Sequence, residues 1–146
     1  VFSVKNTSGT ALTGTTTDTA AHTVTIPSYL MGYNGAIQVR GTFSASGSAG
    51  TKTVRIKFGG TTFNAFAMGS SDTGFVFETV IRNRESLSSQ IARPSFSASY
   101  GTGAASGTTG TVNTAVDQSL IVSAQLANSA DSITLETIEV QILADM

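Results

Sequence analysis

The sequence predicts an all-β fold, an antiparallel β-sandwich of jelly-roll-like form with about eight to ten short strands. Three observations carry that expectation. Apolar and polar residues alternate at period two in one segment after another. No stretch carries a convincing helical apolar period. Gly, Asn, Ser and Pro punctuate the alternating segments at turn spacing. A length of 146 residues with 40% hydrophobic residues suits one domain with one core.

The clearest segment is Ala36 to Phe66. Ile37, Val39, Gly41 and Phe43 point one way and Gln38, Arg40 and Thr42 the other, as on a half-buried strand. The pattern resumes with Val54, Ile56 and Phe58 against Thr53, Arg55 and Lys57. Gly59-Gly60 then supplies a two-residue hairpin turn, because both central positions of a type I′ turn need positive φ. Folding the chain there sets Phe58 opposite Thr61, Ile56 opposite Phe63 and Val54 opposite Ala65. A slip by one residue would bury Arg55 and Lys57, which fixes the register.

Residues 1–21 read as a Thr/Ser-rich N-terminal arm with one short strand near Phe2 and Val4, and its run Thr13 to Thr19 as a loop lying on something else. Residues 22–146 read as the sandwich domain. His22 to Ile26 is a strand closed by Pro27. Ser28 to Gly32 fits one helical turn, and Asn34-Gly35 is a turn dipeptide. Phe75 to Ile81 is apolar at nearly every position, as a strand buried on both faces would be. Ile91 to Tyr100 is a weaker strand whose Pro94 demands an edge or a bulge. Gly101 to Thr111 has no side chain large enough to anchor it and is expected to be a loop, with order resuming at Val112. Ser119 to Gln125 is a strand with Leu120, Val122 and Ala124 inward. In the last strand Ile133 and Leu135 share one parity and Ile138, Val140 and Ile142 the other. Either a bulge near Glu136 and Thr137 reconciles them, or one half packs on a partner chain.

Composition narrows the function classes. Charged residues are only 12% of the chain and the formal net charge is −1, so there is no electrostatic case for nucleic acid. No apolar run is long enough for membrane insertion as a helix. With no cysteine there is neither a disulfide nor a thiolate metal site. No cofactor and no required metal are expected. The lone histidine, His22, would have to serve any Ser-His-Asp arrangement, and no G-x-S-x-G elbow is present. For a two-carboxylate hydrolase, Glu136 and Glu139 lie three apart and would face opposite sides of a regular strand. Glu78, inside an apolar strand, is expected to be a buried acid paired with Arg82 or Arg93. Asp131 is a loop carboxylate available to an incidental calcium ion. The expectation is therefore a non-enzyme. The densest charge, Arg82, Arg84, Glu85 and Arg93, is a candidate polar contact cluster for an anionic ligand or a subunit; a solvated loop is the plainer reading. Tyr29, Tyr33 and Tyr100 are candidate sugar-stacking residues, or caps on the core edge.

Several strings resemble those of small β-sandwich domains of tailed-bacteriophage virions, found in or near tail-fibre and receptor-binding proteins. They are Ile26-Pro27, Met31-Gly32, Asn34-Gly35, Ile37 to Arg40, and Lys52 to Thr61. Asn83-Arg84 with Ser89-Gln90, and Gln125 to Asn128 with Ile133 to Glu136, complete the set, from about His22 to Leu143. The resemblance implies a virion structural protein of the outer surface, made in the bacterial host cytoplasm. It implies a homotrimer and does not say which virion component; the first expectation is a tail-fibre or receptor-binding component joined to a fibre shaft, with a host-surface glycan as candidate partner. The alternatives are a capsid cement (decoration) protein clamping major capsid subunits, which would lay Val1 to Thr19 across the capsid, and a polysaccharide-degrading spike domain. The two apolar faces expected of Phe75 to Ile81 and of the last strand nominate Phe75, Phe77, Val80, Ile81, Ile138, Val140 and Ile142 as the subunit interface.

Overall fold

The computed structural model describes residues 2–6, 9, 11–93 and 107–145. Eleven strands lie among them: β1 (Phe2–Asn6), β2 (Leu12–Thr13), β3 (Thr19–Ile26), β4 (Ala36–Ser46), β5 (Lys52–Phe58), β6 (Thr61–Met68), β7 (Gly74–Asn83), β8 (Gln90–Ala92), β9 (Thr108–Gly110), β10 (Gln118–Leu126) and β11 (Ser132–Leu143). They form two sheets, one ordered β1-β11-β4-β7-β8-β9 with β2 also on β11, the other ordered β3-β10-β5-β6. Every pairing is antiparallel. The long pairings are nested: β5 with β6, β4 with β7, β3 with β10 and β1 with β11, assigned to the two sheets in turn. That nesting is the jelly roll, an antiparallel ribbon wrapped into a sandwich.

The inward faces meet in one core, with Ile37, Val39, Phe43, Val54, Ile56, Phe58, Phe63, Phe77, Ile81, Val122 and Val140 among its members. The hairpin turn is as expected, with Gly59 and Gly60 both at positive φ (54° and 82°). Its first pair is also as expected, Phe58 opposite Thr61. The register then departs from the expected one. A bulge sets Ile56 opposite Asn64, Arg55 opposite Ala65 and Val54 opposite Phe66, so Phe63 has no partner across the ladder. The extra residue turns both Phe63 and Asn64 inward, the first to fill the core and the second to hydrogen bond within it.

The phase change in β11 is a bulge. Leu135 faces Phe43, Thr137 faces Thr42, and Glu136 is the extra residue. Both apolar halves therefore point into the same core. Ile138, Val140 and Ile142 are fully buried in their own chain, as are Phe77 and Ile81 on β7. These five side chains cannot also face a neighbour, which corrects their nomination as a subunit interface. β7 is buried on one face only: Phe77, Thr79, Ile81 and Asn83 point in, while Val76 and Glu78 are exposed. Phe75 is half-buried between the rings of Phe66 (5.6 Å between centroids) and Phe77 (6.5 Å), and Val80 is half-buried. The exposed apolar surplus on β7 reduces to Val76, with Val80 partly covered.

The N-terminal segment is not a separate arm. β1 and β2 extend the large sheet, β1 pairing Phe2 with Ile142 through Asn6 with Ile138. Asp18 forms ion pairs with Lys57 and with Arg55 (3.4 Å), and Thr16 accepts a bond from Gln125 (3.0 Å). The expected loop over Thr13 to Thr19 thus lies on the outer face of its own small sheet. Residues 28–34 form turns rather than a helical turn. The expected loop over Gly101 to Thr111 contains β9, and its first six residues lie outside the described ones, as does the expected strand beyond Arg93 with Pro94 and Tyr100. Val112 is buried, as expected.

Candidate functional site

The two ends of the sandwich are each closed by a buried polar clamp. At one end the loops 47–51, 69–73 and 127–131 meet. Lys52 lies on the inward parity of β5, and its ammonium is fully buried. It donates to the carbonyls of Gly47 (3.0 Å), Gly50 (3.2 Å) and Ser70 (2.9 Å), and pairs with Asp131 Oδ2 at 3.2 Å. Asp131 also accepts the amides of Ala49 and Gly50. Burial alone would push its carboxyl up, but the two amides and the Lys52 ammonium outweigh burial and hold it below the ordinary carboxylate value. Burial likewise raises Asp18, and Lys57 and Arg55 lower it further than burial lifts it. A carboxyl lowered on folding stabilises the fold above its unfolded value and loses that contribution as pH falls through the folded one. Stability is therefore expected to stay level from neutral pH down to about 4 and to fall steeply below it. Urea midpoints measured across that range check this. A midpoint already falling between pH 7 and 5 would contradict it.

At the opposite end meet the Gly59-Gly60 turn, the loops 27–35, 84–89 and 111–117, and the end of β11. Beneath them lies a buried amide network. Gln90 donates to Asn83 Oδ1 (2.8 Å) and to the carbonyl of Val112 (2.9 Å), and its Oε1 accepts the Val112 amide (2.7 Å). Asn83 donates to Gly32 O (2.7 Å) and to Thr114 Oγ1 (3.0 Å), while Thr114 donates to Leu87 O (2.9 Å). Asn83, Gln90 and Thr114 are all buried. Together the bonds tie β7 and β8 to the loops 27–35, 84–89 and 111–117, so the network sets the loops relative to one another. The Asn83-Arg84 and Ser89-Gln90 strings thus encode an internal scaffold.

What the scaffold holds outward is aromatic and cationic. Tyr29 is 63% exposed and Tyr33 58%, with Val116 and Leu143 exposed on the same end. Tyr29 has φ of +61°, a left-handed conformation that a bulky side chain rarely adopts. Its amide donates to Thr114 O (2.8 Å), and the Tyr33 carbonyl accepts from Ser86 (3.1 Å). Asn34 gathers part of the expected polar cluster: Arg82 donates to its carbonyl (2.9 Å) and the Glu85 amide to its Oδ1 (3.0 Å). Glu85 is also left-handed, at φ +53°. Arg84 lies over a groove beside Thr61 and Ser89, and Arg93 is exposed one strand away, its amide on Val80 O. The cluster is therefore brought together at Arg82, Arg84 and Glu85, with Arg93 apart.

The other nominated residues serve the framework. Glu78 is exposed rather than buried, and accepts from Gln38 (3.0 Å) rather than from Arg82 or Arg93. Glu136 at the bulge accepts from Ser44, and Glu139 pairs with Arg40 at 2.9 Å. His22 lies on β3 of the small sheet, opposite Val122. No group of three or more His, Cys, Asp or Glu that could hold a metal is present among the described residues.

No family model matches the chain, and no curated relative matches it. Among solved structures, dimeric latent PorU from Porphyromonas gingivalis is similar over 85% of this chain at 15% identity, with a TM-score of 0.43. The chain spans 10% of that protein's length. At that level the likeness carries no argument about function.

Proposed function

We propose that this chain is a non-enzymatic binding domain of the outer surface of a bacteriophage virion, a tail-fibre or receptor-binding component whose loop end contacts a host-surface glycan. One observation carries the ligand contact. Two tyrosines, more than half exposed, stand on loops that a buried, fully bonded amide network holds in place, and one of them is kept in a left-handed backbone. Backbone strain at an exposed aromatic costs stability and is retained where the surroundings over-determine it, as at ligand sites. Tyrosine rings offer an apolar face to a sugar and a hydroxyl to its rim. The virion assignment is supported by the residue strings that resemble phage domains, and jelly rolls recur in capsid and lectin domains, although a fold alone assigns no function. Of the residues a cement protein would lay across a capsid, Phe2–Asn6 and Leu12–Thr13 pair with the chain's own β11, which favours the binding domain. The apolar surplus that argued for a homotrimer is mostly internal, so a trimer would have to be built on other surface.

The test is an array of bacterial surface polysaccharides probed with the wild type, Tyr29→Gly and Tyr33→Ala. Tyr29→Gly relieves the left-handed strain, so its melting temperature is expected to hold or rise while binding falls. Tyr33→Ala is expected to bind more weakly at unchanged melting temperature. Binding that survives both substitutions would refute the loop end as the ligand face.

A further inference from the structure

Beside the tyrosine-bearing loops runs an open groove of about 490 Å³, lined by Thr61, Arg84, Ser89, Thr109, Gly110 and Thr111. Its shape follows from packing. β9 crosses the ring of Phe63 so closely that a Cβ on Gly110 would collide with it, so the groove floor is glycine over a buried aromatic. The Arg84 amide bonds to Ser89 O (2.9 Å), which closes the 84–89 loop and fixes the wall from which the guanidinium extends. That guanidinium has no ion pair or hydrogen-bond partner among the described residues, whereas Arg40, Lys52, Arg55 and Lys57 each pair with a carboxylate. Among the described residues, the lining holds one cation, four hydroxyls and no acid.

We propose that this groove is a subsite for an acidic sugar of the hexuronate class, with the sugar carboxylate on the Arg84 guanidinium and the sugar hydroxyls on Thr61, Ser89, Thr109 and Thr111. The planar fork of one arginine matches a carboxylate in two parallel bonds. A phosphate, with about twice the charge at neutral pH, is usually met by more than one cation. Hydroxyl-bearing walls suit a ligand that presents hydroxyls of its own. The groove adjoins the tyrosine platform through the 84–89 loop, whose Ser86 and Glu85 amides bond to Tyr33 and Asn34. The subsite therefore rests on the reading of the loop end as a glycan-binding face and names the sugar that it takes.

The experiment is calorimetric titration of the wild type, Arg84→Gln and Arg84→Lys with a glucuronate-containing oligosaccharide, its carboxyl-reduced neutral counterpart, and inorganic phosphate. Hydrogen bonds to a charged group contribute about 1.5–3 kcal/mol, so Arg84→Gln is expected to weaken uronate binding about tenfold or more. Arg84→Lys, which keeps the charge and loses the fork, should fall between. Arg84 is exposed, so the melting temperature should stay where it is. Equal binding of the neutral counterpart, phosphate binding as tight as uronate, or no saturable uronate binding would each overturn the subsite. If polysaccharide binding still depends on Tyr29 and Tyr33 in any of those cases, the glycan face stands and only the acidic-sugar assignment falls. If that dependence is lost too, both fall.

Discussion

Phe63→Ala is expected to lower the free energy of unfolding by about 3–5 kcal/mol, the range for removing a large aromatic from a packed core. Phe63 is the residue that the β6 bulge adds. It is 1% exposed, its ring lies 6.5 Å from that of Phe58, and β9 passes directly over it. Truncation leaves a cavity that the small sheet and β9 both border, and neither can collapse into it without breaking its ladder. Phe66→Ala, at a half-buried ring between the sheets, is the comparison and should cost less. Denaturant unfolding of the two variants decides the matter. A loss below about 1 kcal/mol for Phe63→Ala would mean that the bulge does not place this ring in the core.

Lys52→Ala is expected to cost a similar amount, about 3–5 kcal/mol, because it leaves Asp131 as an uncompensated buried charge. Three carbonyls lose their donor at the same time, and they come from two different loops. For that reason Lys52→Met with Asp131→Leu, which removes both charges, should recover only part of the loss: the carbonyls of Gly47, Gly50 and Ser70 and the amides of Ala49 and Gly50 stay unpaired. Full recovery in the double variant would show that the charges, and not the loop carbonyls, are what the clamp satisfies.

The sheet architecture was legible because period-two alternation is a strong signal wherever one face is buried. Val54, Ile56 and Phe58 on one side of Arg55 and Lys57 set both the strand and the start of the hairpin. Bulges were legible only where the apolar parity itself changes. The switch from Leu135 to Ile138 announces one, whereas Phe63 and Asn64 do not, since an inward Asn looks like an ordinary outward residue. The same blindness hid both clamps. Lys52 shares the parity of Val54, and Asn83 that of Phe77 and Ile81. Parity alone would place them inside, but a polar type at an inward position reads as a strand end until its partners are seen. Asp131, Gln90 and Thr114 come from loops and strands distant in sequence, and no local pattern joins them. The apolar surplus of β7 misled for a related reason. Phe75 and Phe77 share a face with Thr79, while Val76 and Val80 share one with Glu78, so composition suggested two buried faces where the fold has one. Of the candidate site, Tyr29, Tyr33 and the arginines were visible as residue types; that Asn34, Arg82 and Glu85 meet needed the fold.

The most direct measurement of the proposed virion role is the position and orientation of this chain in a cryo-electron microscopy reconstruction of the proposed bacteriophage particle. The expected result is density on the outer surface, at a fibre or spike, with the loops 27–35 and 111–117 facing away from the particle. A chain seated among capsid subunits with Tyr29 and Tyr33 buried against them would contradict the account.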